Sequence, residues 1–197
     1  MLQPSCTGCT NVFCRSLSPD SRKLLLAASK RINFSAQIEK PFYFEDQQII
    51  ILEKGALIGY RSDVNLRLQS VDLLQPGDLL GIANLFSQSE REAFSIKALI
   101  DSFGCSLPIQ IMEQLIVERP DIAKATICQY SSRYSRVVDS FINKTNALSE
   151  ERVIYALNLL KKLNVKKITH ENLALLSGMN RVTVTKALHH LYPIHDE

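Results

Sequence analysis

The cysteines of this chain are the residues whose type and spacing most suggest chemistry. Cys6, Cys9 and Cys14 follow one another in the pattern C-x2-C-x4-C, while Cys105 and Cys128 lie far along the chain. An odd number of cysteines fits a disulfide framework poorly, and closely spaced thiols in a reducing compartment more often bind a metal or form a redox pair. Three thiolates on one loop can bind an iron–sulfur or zinc centre with a fourth ligand from elsewhere. Incidental reduced cysteines are the alternative.

Other residue types offer little support for catalysis. The four histidines are His170, His189, His190 and His195, so a zinc site that combines the N-terminal thiols with two histidines is disfavoured. A redox enzyme acting through the thiols would need a helix start or a βαβ context to lower a thiolate pKa, and neither is evident near Cys9. Paired carboxylates, a phosphate-binding glycine loop and a Ser/His/Asp set are also lacking. The sequence predicts that the protein is not an enzyme.

The composition is that of a folded protein with one or two domains. The chain has 197 residues, 46% of them hydrophobic and 22% charged, with 23 Lys plus Arg against 20 Asp plus Glu. These values exclude a disordered charged tail. No apolar run approaches the roughly 20 residues that span a bilayer, and the N-terminus lacks a basic leader with an apolar run. We therefore expect a cytoplasmic protein that does not bind membranes.

The first half of the chain predicts a helix followed by many short strands. The helix begins at Leu17-Ser18-Pro19-Asp20 and extends to Ile32. Turn residues such as Lys54-Gly55 and Gln75-Pro76-Gly77-Asp78 separate the strands, and this alternation is typical of a compact β-roll. The predicted strands cover residues 42–44, 49–52, 56–60, 66–68, 71–74, 94–99 and 103–107.

A long helix is predicted from Arg119-Pro120-Asp121 to about Asn143, with a break over residues 143–149. Apolar residues recur along it every seven positions in two offsets, the a/d pattern with which two helices pack as a coiled coil. We expect a symmetric homodimer, and packing of the helix on its own β-roll is the alternative. The two series are Ile127, Tyr134 and Phe141, and Ala123, Tyr130 and Val137.

The C-terminal segment predicts a helix-turn-helix. Thr169 is a suitable N-cap for a first helix that ends at Ser177-Gly178, and Asn180 is a suitable N-cap for a second helix to about Leu191. Two short helices joined by a glycine turn form the motif whose second helix enters the major groove of DNA. Residues 144–197 hold eight Lys and Arg against five Asp and Glu, which is the whole formal excess of +3. The residues predicted to contact DNA are Thr169, Asn180, Arg181, Val182, Thr183, Thr185 and Lys186.

This order of parts resembles the Crp/Fnr superfamily of bacterial transcription regulators over nearly the whole chain. Residues 74–81, Leu-Gln-Pro-Gly-Asp-Leu-Leu-Gly, look like the family's L-x-P-G-D-x-(F/L)-G turn, and residues 168–191 are similar to its DNA-binding segment. The resemblance implies an α+β fold, with double-stranded DNA, a second copy of the chain and RNA polymerase as partners. The predicted domains are a cysteine-rich loop (1–16), a sensory β-roll (17–118), a dimerisation helix with hinge (119–146) and a DNA-binding domain (147–197).

Within that family the cysteines resemble the fumarate and nitrate reduction branch, which senses oxygen with an iron–sulfur cluster. Cys6, Cys9 and Cys14 match the N-terminal trio of that branch, although the second spacing is one residue shorter. Cys105-Ser106-Leu107-Pro108 matches its central C-x-(I/L)-P motif. The resemblance implies a 4Fe–4S cluster bound by Cys6, Cys9, Cys14 and Cys105, with Cys128 as the alternative fourth ligand.

The sequence also departs from its relatives. Ile82 stands where the nucleotide-binding branch has a ribose-binding Glu, and Glu92 follows Arg91 where a Ser would contact phosphate, so no cyclic nucleotide is expected. Val182 replaces the usual Glu of the recognition helix, and the chain ends at Glu197 where relatives continue into a wing. A regulator that responds to another small molecule, or a wingless relative that binds protein, therefore remains an alternative.

Overall fold

The structure is a computed structural model that describes residues 11–36, 42–43, 48–62, 68–86 and 95–192. In chain order the helices are α1 (Val12–Arg15), α2 (Pro19–Ala28), α3 (Ile82–Phe86), α4 (Ile109–Glu118), α5 (Pro120–Asn146), α6 (Ser149–Lys162), α7 (His170–Ser177) and α8 (Arg181–Leu191). The strands are β1 (Lys30–Phe34), β2 (Phe42–Tyr43), β3 (Gln48–Ser62), β4 (Leu68–Leu74), β5 (Leu79–Leu80) and β6 (Ser95–Pro108).

The six strands form one antiparallel sheet in the order β1-β6-β3-β4, with β2 paired to β6 and β5 to β3. Successive side chains of a strand point to opposite faces, and β3 shows this alternation in its core contacts. Ile50 and Leu52 pack with Leu74 and Leu80 between the strands. Ile49 and Ile51 instead join the helices in a second cluster. The sheet is therefore buried on both faces along β3, as the α+β prediction of a roll covered by helices requires.

One predicted turn is wrong. Lys54-Gly55 does not separate two strands, because β3 is continuous from Gln48 to Ser62 and passes through Gly55 with register shifts. Gly55 has a φ of 112°, and a Cβ on it would lie 2.0 Å from the Oγ of Ser102 on β6. The glycine thus permits a close strand contact at a bulge. The predicted strands at 94–99 and 103–107 are likewise one strand, β6.

The first predicted helix is too long. Ser18 is its N-cap and accepts a hydrogen bond from the Ser21 N–H at 3.2 Å, as the sequence indicates, but α2 ends at Ala28. Ile32 lies instead on β1, where it pairs with Gly104 of β6. The segment 12–15, predicted as part of a loop, is a short helix capped by Asn11.

Helix α5 has 27 residues and ends at Asn146. The break expected over residues 143–149 is therefore limited to Ala147 and Leu148, because α6 begins at Ser149. At its N-terminus, Asp121 accepts hydrogen bonds from the Ser18 N–H and from the Ser21 Oγ, both at 2.8 Å. These bonds tie the N-terminal segment to the start of the long helix.

The last three helices pack on one another and on the end of the β-roll. Val153, Leu173 and Val184 form a buried cluster that also contains Ile58 and Leu99 of the roll. Among the described helices, none is both long enough and apolar enough to cross a membrane. The expected absence of a wing concerns residues 193–197, which lie outside the described part of the chain.

Candidate nucleic-acid interface and sensor site

The caps of α7 and α8 are those predicted from the sequence. The Thr169 Oγ1 accepts a hydrogen bond from the Asn172 N–H at 3.1 Å, and the Asn180 Oδ1 accepts one from the Thr183 N–H at 2.8 Å. Between them Gly178 has φ 65° and ψ 30°, the left-handed conformation that glycine adopts without strain. The local sequence therefore defines both ends of the turn.

Arg152 of α6 supports this turn from below, and the sequence did not indicate this role. Its Nε and Nη2 donate to the Ser177 carbonyl at 3.0 and 2.6 Å, and Nη2 also donates to the Gly178 carbonyl at 3.0 Å. The last carbonyls of a helix lack partners within it and carry partial negative charge, so a cation is favourable there. Arg152 thereby fixes the position of α7 relative to α6.

Helix α8 has one buried face and one exposed face. Val184 and Ala187 are buried against α6 and α7, with Leu188 partly buried beside them. Arg181, Val182 and Lys186 are exposed. The structure thus places three of the predicted DNA-contacting residues together on one outward surface at the start of the second helix.

The hydroxyl groups near that surface are held by local hydrogen bonds. The Thr183 Oγ1 donates to the Asn180 Oδ1 at 3.0 Å, and the Thr185 Oγ1 donates to the Arg181 carbonyl at 3.0 Å and lies 3.0 Å from the His170 Nδ1. A hydroxyl that donates one hydrogen bond still has acceptor capacity. Contact of these threonines, and of the caps Thr169 and Asn180, with DNA stays a prediction.

The predicted seam of α5 is largely exposed in the single chain. Ile127, Tyr134 and Phe141 are 64%, 62% and 66% exposed, and Tyr130 is half exposed, whereas Val137 is partly buried. The opposite face of the helix is buried at Ile122, Ala125 and Thr126. The described chain therefore presents an apolar row with the seven-residue spacing that the sequence shows.

Two arginines fasten α5 to the β-roll, and the sequence did not single them out. Arg133 pairs with Asp72 and also donates to the Leu79 carbonyl, while Arg136 pairs with Asp78. Asp78 is buried, and burial raises its pKa, although the Gln75 N–H and Arg136 act in the opposite direction. The Gln75–Leu80 turn thus serves as the attachment point of the long helix.

Two of the four predicted metal ligands are described, and both are buried in the same cluster. Cys14 of α1 and Cys105 of β6 pack among the helices that cover the roll, together with Ile51, Leu107 and Met112. Cys128 is exposed. Cys6 and Cys9 lie outside the described residues, and within those residues no three His, Cys, Asp or Glu side chains are grouped to bind a metal ion. The cluster assignment stays a prediction.

Comparisons with known proteins support the architecture. No family model matches the chain. The cyclic AMP receptor protein of Thermus thermophilus is 27% identical over 159 residues, which cover 77% of this chain and 73% of the relative. A solved structure from Eubacterium rectale, assigned to the Crp/Fnr family of transcriptional regulators, has a TM-score of 0.71 at 18% identity and covers 91% of this chain and 86% of that one. The Thermus thermophilus catabolite activator protein is 26% identical with a TM-score of 0.51, over 91% of this chain and 85% of that one.

The β-roll, the long helix and the two C-terminal helices with their glycine turn define the architecture of the Crp/Fnr regulators. Since a curated relative from the same group also matches over most of both chains, this chain is a Crp/Fnr family transcription regulator and not an enzyme. The predicted fold and the predicted lack of enzymatic activity are confirmed. These comparisons do not distinguish the oxygen-sensing branch from the others.

Proposed function

We propose that this regulator binds double-stranded DNA as a homodimer through α8 and controls that binding through an iron–sulfur cluster that senses oxygen or redox state. The observation that carries the DNA-binding part is the exposed N-terminal surface of α8, with Arg181, Val182 and Lys186 side by side above a buried Val184. The first residues of a recognition helix are those that reach base edges in the major groove.

The side chains on this surface offer different contacts. Arg181 has the paired donors that suit guanine O6 and N7, and Val182 offers an apolar contact to a thymine methyl group. Lys186 lies further along the helix and suits a phosphate. Exposed lysines at 166 and 167, just before α7, add positive charge beside the same surface. Together they combine base contacts with the backbone contacts that supply most of the affinity.

A homodimer explains the exposed row on α5. Burial of an apolar side chain stabilises an assembly by about 25 cal/mol per Å² removed from water. Ile127, Tyr134 and Phe141 are each more than half exposed in one chain and lie at heptad spacing, so a second copy of α5 would bury them. Such a dimer would place its two α8 helices to read half-sites about one turn of DNA apart, roughly 34 to 36 Å.

The described cysteines fit an iron–sulfur site in their position and chemistry. Thiolates suit iron, and an apolar shell limits access of water to such a centre. Cys14 and Cys105 lie in one apolar cluster although they come from α1 and β6. When bound, the cluster would supply an oxygen-labile crosslink. The spacing of Cys6 and Cys9 from Cys14 allows the other two ligands to come from the preceding residues.

The chain has a route from these cysteines to the dimer helix. Helix α1 contacts α5, and the following residues Ser18 and Ser21 donate hydrogen bonds to Asp121 at the start of α5. Ligation of Cys14 and Cys105 would therefore hold α1 against the roll and fix the N-terminal end of α5. Loss of ligation would release that end and shift the population away from the DNA-binding dimer.

Anaerobic purification followed by iron and sulfide assay tests the sensor. We expect about four irons and four sulfides per chain in the wild type, in line with a cluster ligated by four thiolates. Cys105→Ser should abolish the iron, while Cys128→Ser is the matched control and should retain it because Cys128 is exposed on α5. Iron-free wild-type protein, or equal iron in both variants, would refute the cluster assignment and leave the DNA-binding proposal to be judged on its own.

A further inference from the structure

A cavity of about 840 Å³ lies where the roll, the long helix and the helix-turn-helix meet. We call it the junction cavity. Its walls come from the ends of β3 and β4, from the C-terminal third of α5, from Arg152 of α6 and from Gly178. It lies at the opposite end of α5 from Asp121, where the N-terminal segment is attached. Its volume is in the range of pockets that hold small molecules.

The junction cavity is lined by positive charge. Arg61, Lys144 and Arg152 contribute to its walls, and none of the described residues that line it is acidic. Lys144 donates from its Nζ to the Ser70 carbonyl at 2.9 Å and to the Ser70 Oγ at 2.6 Å, both neutral acceptors. Among the ion pairs between described residues, none includes Lys144 or Arg152.

The environment of Lys144 disfavours its charge. Burial, assisted by the nearby Arg152, lowers the pKa of Lys144 to about 8, and the charge of Asp72 only partly opposes this. Asp72 is itself paired with Arg133. A buried cation without a paired anion is costly, and an anion bound beside it would relieve that cost.

The remaining lining offers both hydrogen bonds and apolar contact. Ser62, Gln69, Ser140 and Thr145 supply hydroxyl and amide groups, and Val71, Val137 and Phe141 supply apolar surface. We propose that the junction cavity binds a small organic anion, one that carries a phosphate or more than one carboxylate, with Lys144 as its central contact. The apolar residues would cover the body of that molecule while the cations bind its charged groups.

Binding there would act on the DNA-binding domain directly. A Cβ on Gly178 would lie 3.2 Å from the Arg152 Nη2 and 3.6 Å from the Lys144 Cδ, so the turn before α8 forms one wall of the cavity. Strand β4, which supplies Gln69 and Ser70, also contacts α7. An anion that contacts these walls would stabilise the observed packing of the helix-turn-helix against the roll. This inference is independent of the cluster assignment.

Isothermal titration of the full-length protein tests the proposal, with pyrophosphate and citrate as probes at constant ionic strength and pH 8.5. We expect saturable binding of at least one probe. Because a bound anion should raise the pKa of Lys144 from about 8, binding should take up protons, seen as a heat that changes with the ionisation enthalpy of the buffer. Binding of pyrophosphate alone would indicate a phosphate ligand, and binding of citrate alone a carboxylate.

Variants locate the site. Lys144→Gln should weaken binding about tenfold or more and remove the proton uptake, since a charge-assisted hydrogen bond contributes about 1.4 kcal/mol or more. Lys124→Gln, at an exposed position of the same helix, is the matched control and should stay within about twofold of the wild type. Ser140→Asp provides a second test that leaves Lys144 in place, because it introduces a competing carboxylate one helical turn away.

Several outcomes would overturn the proposal. These are a lack of saturable binding of both probes, equal affinity of the wild type and Lys144→Gln, or equal weakening by Lys124→Gln and Lys144→Gln. If neither probe binds and Lys144→Gln instead weakens duplex DNA binding about tenfold, the cavity contacts the DNA backbone and the small-molecule assignment is wrong.

Discussion

Replacement of Arg152 by Met should destabilise the C-terminal domain more than any other single loss of charge on α6. The guanidinium donates to two carbonyls, those of Ser177 and Gly178, with contacts of 2.6 to 3.0 Å. A hydrogen bond that involves a charged group contributes about 1.5 to 3 kcal/mol. Since Met keeps the apolar stem and removes both acceptor contacts, we expect a loss of about 3 kcal/mol at the lower bound for two such bonds.

Urea unfolding followed by far-UV circular dichroism measures this loss, and amide hydrogen exchange of α7 and α8 locates it. Lys161→Met, at an exposed position on the same helix, is the control and should change the free energy of unfolding by less than about 0.5 kcal/mol. A comparable small change in Arg152→Met, or faster exchange spread evenly over the roll, would refute the assigned role.

Single contacts give three further predictions. Gly178→Ala should lower the free energy of unfolding by about 1 to 2 kcal/mol, because φ is 65° and a Cβ would lie 3.2 Å from Arg152; thermal unfolding measures this, and an unchanged midpoint would contradict it. Tyr134→Glu should convert the proposed dimer to a monomer in analytical ultracentrifugation, whereas the exposed Ser131→Glu should not. Asp121→Asn should cost about 1 kcal/mol above pH 4, after allowance for solvent screening. The pKa of Asp121 is lowered to about 2, first by the Ser18 N–H, so its stabilisation is present above its usual value of 3.8 and is lost as pH falls toward 2; urea unfolding from pH 7 to pH 2 should show the gap closing. A gap that does not vary with pH would refute this.

The helix-turn-helix could be predicted from the sequence because its signals are local. Thr169, Gly178 and Asn180 each determine the conformation of residues no more than three positions away, through caps and a left-handed turn. The heptad spacing of Ile127 and Tyr134 is equally local, and it predicted which face of α5 the structure leaves exposed.

The remaining features depend on residues that are distant in sequence. Ile32 fits a helical apolar pattern, but its segment pairs with β6 and so becomes a strand. Gly55 reads as a turn until Ser102 is known to lie against it. Arg133 and Arg136 read as solvated charges on a helix surface, because Asp72 and Asp78 come near them only once the roll has formed. Periodicity along the chain carries no signal of such non-local pairing.

The most direct test of the account is selection of bound duplexes from a random-sequence DNA library by the anaerobically purified protein. We predict enrichment of a twofold-symmetric sequence whose half-sites are about 10 base pairs apart, and loss of base preference within each half-site in Arg181→Ala. Brief exposure to air should abolish the enrichment if the cysteines control dimerisation. No enriched sequence in the anaerobic sample, or an enriched sequence that Arg181→Ala recovers equally well, would contradict the assignment of α8 as the helix that reads DNA.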